Sequence, residues 1–316
     1  MKHVKVLITG GAGFIGHNVA LFLKEHGYDV FVFDNLKRAS NFALDRLSAH
    51  SIPVFEADVL NAKELRAAVK DADCVVHAAA YISVEESMKR PAMYFRNNVA
   101  GTANVADVCL REGAKFLVYI SSAAVYGEPV ALPITESHPT NPISPYGLTK
   151  LMGEEVVKFY SRRGLKYVIL RLFNAYGRGQ SGSYAGVITR FVERVRAGKP
   201  PIIYGDGSQT RDFLHVRDVA QAIERCMERG VENETFNIAS GKPTTIKELA
   251  ELIIKLAGRD LRPIYAKPRQ GDIKHSHADI SKAERLLGFK PEISLEEGLS
   301  ELLDFRANHS AGRIIT

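Results

Sequence analysis

The sequence of 316 residues is short of cysteine, of long apolar runs and of blocks of like charge, and each shortage excludes something. Its three cysteines, Cys74, Cys109 and Cys226, are scattered and odd in number. They argue against a disulfide framework or a zinc site and suit buried thiols in a reducing compartment. No apolar stretch approaches the roughly 20 residues of a membrane span, so no membrane partner is expected. The opening MKHVKVLITGG reads as a strand running into glycines rather than a targeting segment, and a cytoplasmic setting follows. The formal net charge of +6 is spread among interspersed acids, with no basic run or basic helix. No nucleic-acid partner is expected, because a mildly positive cleft for a small anion accounts for that charge. Internal repeats and low-complexity tracts are also missing.

What is present is 46% hydrophobic and 25% charged residues, enough for a sizeable core and two lobes. In the first half, short runs rich in β-branched and aromatic residues (VKVLITG, YDVFVFD, SIPVFEAD, ADCVVHAAA, KFLVYISS, KYVILRLF) are mostly separated by helix-like spacing, as in NVALFLKEHG. Strands alternating with helices predict an α/β fold, a Rossmann-like doubly wound parallel sheet. After about Asn174 the loops lengthen and fill with Gly and Pro, which predicts a smaller, mixed α/β C-terminal lobe. The expected division is 1–173 with a returning segment at about 214–238 for the first domain, and 174–213 with 239–316 for the second.

The first strand runs into Gly10-Gly11-Ala12-Gly13-Phe14-Ile15-Gly16 and then a helix. Glycines there let the backbone approach a pyrophosphate at the positive end of the helix, although a purely structural strand-to-helix turn would use them too. Asp34 ends the second strand 18 residues after Gly16, near the offset of an acid that binds adenosine ribose hydroxyls. Its carboxylate would repel a 2′-phosphate, which favours NAD over NADP, while the nearby Lys37 and Arg38 pull the other way.

In SPYGLTK, Tyr146 and Lys150 lie one helical turn apart. A phenol titrates near pH 10 in water and needs a nearby cation to act as a base at neutral pH. Lys150 can supply that charge, and Ser122, at the end of VYISS, can hold the same substrate oxygen by a hydrogen bond. A packed ring beside a solvated amine is the alternative for spacing alone.

The ordered set GGAGFIG, DNL, ADV, HAAA, SSAAVYG, SPYGLTK and LRLFN resembles the extended short-chain dehydrogenase/reductase family. The later QTRDFLHVRDVA and RQGDIKHSHAD resemble its UDP-glucose 4-epimerase branch. The resemblance implies a catalytic set of Ser122, Tyr146 and Lys150, with Lys150 also on the nicotinamide ribose. It implies tightly retained NAD bound through Gly10, Gly11, Gly13, Phe14, Ile15, Gly16, Asp34, Asn35, Ala78, Ala79, Asn97, Tyr146 and Lys150. Asp58 and Val59 match its adenine-side contact, with a strand-ending turn as the alternative. A UDP-sugar would meet Ser83, Ser122 and Tyr146 at the sugar, Asn174, Arg211 and Arg269 at the diphosphate, and Asp272 at the nucleotide ribose. Each has a plain alternative: Ser83 and Asn97 with Asn98 as helix caps and core, Asn174 as a loop cap, Arg211 with Asp212 as a surface pair.

Dehydratases and decarboxylases of the superfamily carry acidic residues directly after the catalytic Ser position, where this chain has Ala123 and Ala124. What remains is oxidation and re-reduction at one sugar carbon. UDP-glucuronate epimerases and other nucleotide-sugar epimerases or reductases share that pattern, and a non-catalytic NAD sensor is the reading from another class. Ser276 stands where some members place a bulky tyrosine, which predicts tolerance of N-acetylated sugars. His275 and His277 beside it read as loop residues, and no metal site is expected. The helices expected over PAMYFRNNVAGTANVADVCLREG and LMGEEVVKFYSRRG are apolar beyond one stripe, and the family's equivalents pair across a homodimer.

Overall fold

Strand-forming runs and amphipathic segments alternate along the chain, and they pack as such a pattern requires. The structure, a computed structural model, describes residues 4–180, 186–268 and 273–305. Elements β1 (Lys5–Thr9), α1 (Phe14–Glu25), β2 (Asp29–Asp34), α2 (Asn41–Ala49), β3 (Val54–Glu56), α3 (Ala62–Val69) and β4 (Cys74–His77) follow one another. Next come α4 (Val84–Lys89), α5 (Pro91–Tyr94), α6 (Gly101–Glu112), β5 (Phe116–Ser122), α7 (Pro145–Ser161) and β6 (Tyr167–Leu172). The rest is β7 (Asn174–Tyr176), α8 (Val187–Arg196), β8 (Ile202–Tyr204), β9 (Thr210–His215), α9 (Val216–Arg229), β10 (Glu234–Ile238), β11 (Pro243–Thr245), α10 (Ile246–Leu256), β12 (Ile264–Ala266), α11 (Ser281–Leu287) and α12 (Leu295–Asp304).

Seven strands form one parallel sheet in the order β10-β6-β5-β4-β1-β2-β3. This is the predicted Rossmann-like α/β class. β4 and β6 are buried along their whole length, which explains why CVVH and YVILRL show no polar alternation. One core joins the sheet to α1 and α9 through Val19, Leu23, Val219 and Ile223. The other joins the opposite face to α3, α6 and α7 through Leu65, Val105, Cys109 and Val157. Strand order reverses between β1 and β4, which opens a crevice at their carboxyl ends.

Two small sheets, β11-β9-β7 and β12-β8, lie with α8, α10 and α12 around a separate core that includes Phe191, Phe213, Leu249 and Leu299. β7 follows β6 after a single residue, so the chain passes directly from the large sheet into the β11-β9-β7 sheet. Among the described residues, no helix is long and apolar enough to cross a membrane.

The single helix expected over residues 91–113 is instead α5 and α6 joined by a π-helical turn, Phe95–Ala100. Within that turn the side chain of Asn98 grips the backbone of Tyr81 through both its oxygen and its amide nitrogen. A widened turn of this kind often marks a functional site.

Candidate active site

The cavity at the ends of β1, β2 and β4 is built first from the glycine loop. Gly10 adopts φ +68°, and a Cβ there would lie 2.5 Å from the Ala79 amide nitrogen. At Gly16 a Cβ would strike the Gly10 carbonyl, so loop and helix can close on each other only without side chains. Gly10, Gly13, Phe14, Ile15 and Gly16 form one wall, Asp34 and Asn35 the second, and Ala78 and Ala79 the third. Val59 and Asn97 also line it, while Gly11 lies beneath, against Val32. The first turn of α1 carries no acidic residue, leaving its positive end available to an anion.

Asp34 accepts hydrogen bonds from the amides of Ala12, at 3.0 Å, and Leu36, at 2.9 Å. Burial raises its pKa, and those two amides oppose the rise. Asp58 sits in an adjoining recess, where it accepts from Asn35 and Lys37 at 2.9 and 3.2 Å. Burial alone would raise the Asp58 pKa, but the Leu60 amide, Asn35 and Lys37 bring it below the usual value. Arg38 makes two 2.9 Å hydrogen bonds to Glu86. Both basic residues after Asp34 are thus engaged by carboxylates, and the groove fits a dinucleotide whose adenosine ribose carries free hydroxyls.

Ser122, Tyr146 and Lys150 meet where β5 ends against α7. Ser144 caps α7 by accepting from the Gly147 amide at 3.1 Å, and Pro145 occupies the first helical position, where its missing N–H costs nothing. Gly147 matters for the approach: a Cβ there would lie 2.5 Å from the Ala124 carbonyl oxygen in the turn after Ser122. The Ser122 hydroxyl lies close enough to the Tyr146 phenol to favour its ionised form, and it accepts from the Ala124 amide at 3.1 Å. The two residues are not a solvated surface pair. Lys150 is 4% exposed, and its ammonium donates to the Ile120 carbonyl at 2.7 Å and lies 5.2 Å from the Tyr119 ring centroid.

Burial pulls Lys150 down to about 8, opposed by Glu154 one turn along α7. Burial raises the Tyr146 phenol above its ordinary value, opposed by the Ser122 hydroxyl. The expectation that Lys150 lowers the phenol is therefore not met by the protein alone, because the ammonium is directed at the Ile120 carbonyl. Glu154 is itself fully buried in a bidentate pair with Arg171, at 2.9 and 2.7 Å, and accepts from Ser121 at 2.6 Å. Arg171 continues to the Tyr126 hydroxyl, which donates to Asn237. This network fastens α7 to β5, β6 and β10 one turn beyond Lys150.

A second cavity, of about 830 Å³, lies between α4 and α8 and includes Ser83, Asn174, Arg190, Arg194 and Tyr204 in its lining. Asn174 donates to the Asp212 carbonyl at 3.2 Å, and Arg211 donates to the Thr210 carbonyl at 2.8 Å. Asp212 is fully buried and holds Ser240, Gly241 and Ala278, so Arg211 and Asp212 do not form a surface pair. The Ser276 amide donates to the Thr210 carbonyl, which brings that small side chain beside β9.

Residues 6–239 match the family described as NAD dependent epimerase/dehydratase. The chain belongs to that family. A Methanocaldococcus jannaschii protein described as a candidate UDP-glucose 4-epimerase is 41% identical, over 96% of this chain and 99% of its own. The Thermotoga maritima UDP-glucose 4-epimerase solved with UDP-glucose superposes with a TM-score of 0.90 at 37% identity, covering 95% of this chain and 97% of that one. A UDP-N-acetylglucosamine 4-epimerase from Methanobrevibacter ruminantium M1, solved with UDP-N-acetylmuramic acid, gives 0.91 at 36% identity, with coverage of 96% and 98%.

For this epimerase-family chain, several residues escaped the sequence reading. Arg190 and Arg194 are four apart in VITRFVERVR, opposite a regular apolar stripe, and that spacing was the available signal. Tyr204, Glu154 and Arg171 had no local signal. Ser83 caps α4 by accepting from the Glu86 amide, so its cap reading and its place beside the second cavity both hold. Asn97 and Asn98 cap nothing: Asn97 donates to Asn98, and Asn98 also bonds Thr149. Arg269 and Asp272 lie outside the described residues.

Proposed function

We propose that the protein interconverts UDP-glucose and UDP-galactose at C4 through a transient 4-keto sugar. The observation that carries this reading is that the end of β5 and the first two turns of α7 bring Ser122, Tyr146 and Lys150 together, with alanines at 123 and 124 where dehydration would need an acid. NAD, when bound, supplies the hydride acceptor for C4 and, in its oxidised form, a positive charge that favours the phenolate. Tyr146 takes the proton of the 4′-hydroxyl while Ser122 holds that oxygen. Lys150 keeps a positive charge near the phenol and reaches the nicotinamide ribose. After the keto sugar turns over, the hydride would return to the other face of C4 while Tyr146 returns the proton to the 4′-oxygen, giving the C4 epimer. Such a cycle consumes no NAD, so retention of the cofactor is part of the proposal.

The larger lobe serves the dinucleotide and the smaller one anchors the UDP moiety, with Asn174, Arg211 and Arg269 on the diphosphate and Asp272 on the ribose. Arginine forks suit phosphate oxygens. Ser276, buried and small beside β9, supports acceptance of UDP-GlcNAc and UDP-GalNAc as well. We read the protein as a cytoplasmic homodimer. Its α7 leaves Leu148, Met152 and Phe159 exposed along one face, an apolar stripe suited to a second copy.

The test is incubation with UDP-galactose without added NAD, followed by chromatography of the products. Formation of UDP-glucose is expected, and Tyr146→Phe should lose at least about 100-fold in rate, the usual scale of a lost acid–base group. Wild-type turnover in that variant defeats the mechanism. Parallel reactions with UDP-GlcNAc and UDP-glucuronate separate the sugar classes, and no conversion of UDP-GlcNAc at high enzyme loading removes the Ser276 reading.

A further inference from the structure

One group of contacts beside the cofactor cavity has no part in the chemistry above. Arg38 leaves the loop after β2, on one side of the cavity, and reaches residues on the other side. Its guanidinium lies 4.0 Å from the centroid of the Tyr81 ring and forks onto both carboxylate oxygens of Glu86 in α4. Tyr81 itself lines the cavity, so the stacked pair runs from wall to wall.

The far side is firmly built. Glu86 also accepts from the Tyr94 hydroxyl at 2.9 Å, and Tyr94 is fully buried. Both backbone groups of Tyr81 are held by Asn98, which in turn donates to Thr149, the residue before Lys150. The near side is a short irregular segment between β2 and α2. It passes through Leu36 at φ +56°, a left-handed conformation that leucine seldom adopts. The segment keeps that shape because Asp34 and Asn35 accept from the amides of Leu36 and Lys37. An ordinary surface ion pair joins two mobile side chains, whereas this one ends on a fixed carboxylate and a fixed ring.

We propose that Arg38, Tyr81 and Glu86 form a strap across the dinucleotide groove, and that parting of this strap sets the rate at which NAD is released. The proposal rests on the NAD reading given above. The strap would make retention of the cofactor a property of protein–protein contacts added to the groove's own contacts with NAD. Arg38 and Glu86 side chains keep 29% and 27% of their exposure, so the pair is open to screening and release should quicken with salt.

The experiment loads purified protein with radiolabelled NAD and follows its release into excess unlabelled NAD. Glu86→Gln and Arg38→Met should each release the label about tenfold faster, the scale of a lost charge-assisted bidentate contact. The double variant should be no faster than the faster single one, and added salt should quicken wild type but not the double variant. Unchanged release in both single variants overturns the strap while leaving the NAD reading intact. A wild-type protein that binds no labelled NAD overturns both. Both side chains are part-exposed, so the variants are expected to fold, and circular dichroism checks that they have.

Discussion

Lys150 places an ammonium group in a site that water barely reaches, where it donates a hydrogen bond to the Ile120 carbonyl. The Tyr119 ring and His77 are also close to it, and the Glu154 carboxylate acts on it from one turn further along α7. A lysine at about 8 in the folded chain against 10.5 free binds fewer protons than the unfolded chain between those values. Stability therefore rises with pH across that window, by up to about 3 kcal/mol for a shift of this size. Urea denaturation of wild type and Lys150→Met should show the difference moving toward wild type from about pH 7.5 to about pH 10.5. A gap that stays constant with pH contradicts the buried-ammonium account. Neutral His77, lowered to about 3 by burial and by Lys150, fits the same picture, since it bridges Thr9 and Thr102 without charge.

Helix α7 is the element on which the candidate chemistry turns. It carries Tyr146 and Lys150 on one face, and its contacts with the sheet depend on two absent side chains. A Cβ at Gly147 would meet the Ala124 carbonyl, and one at Gly153 would strike the Tyr119 hydroxyl. Neither glycine has the left-handed backbone that usually explains the residue; close approach explains both. Glu154 and Arg171 then lock the helix against β5 and β6. Gly147→Ala should push the first turn of α7 away from Ser122. The expected loss is at least about tenfold in kcat, alongside destabilisation of about 1–3 kcal/mol from overpacking. Steady-state kinetics and a melting curve check this, and an unaltered kcat would show that the close approach is not needed.

At the scale of the whole molecule, the exposed face of Leu148, Met152 and Phe159 predicts a dimer. Size-exclusion chromatography with light scattering should give twice the 34.9 kDa of the chain at micromolar concentration, and a monomer there removes the proposed interface. Much of the molecule was readable along the chain. Period-two and 3.6-residue patterns, the glycine loop and Asp34 are local, and local sequence decides them; the parallel sheet and the dinucleotide groove follow. The Ser, Tyr and Lys of the candidate site were legible as types in order, because strand ends and helix turns fix their spacing. Packing decided the remainder. The π-helical turn at Phe95–Ala100, the burial of Glu154 with Arg171, and the engagement of Lys37 and Arg38 by Asp58 and Glu86 join residues 17 to 48 positions apart or seat a side chain on a distant backbone. The sequence by itself determined which elements form and which chemistry they can carry. Tertiary structure alone decided the direction of the Lys150 ammonium and the protonation preferences of Tyr146 and Lys150, because desolvation and long-range hydrogen bonds exist only once the sheet and its helices have closed.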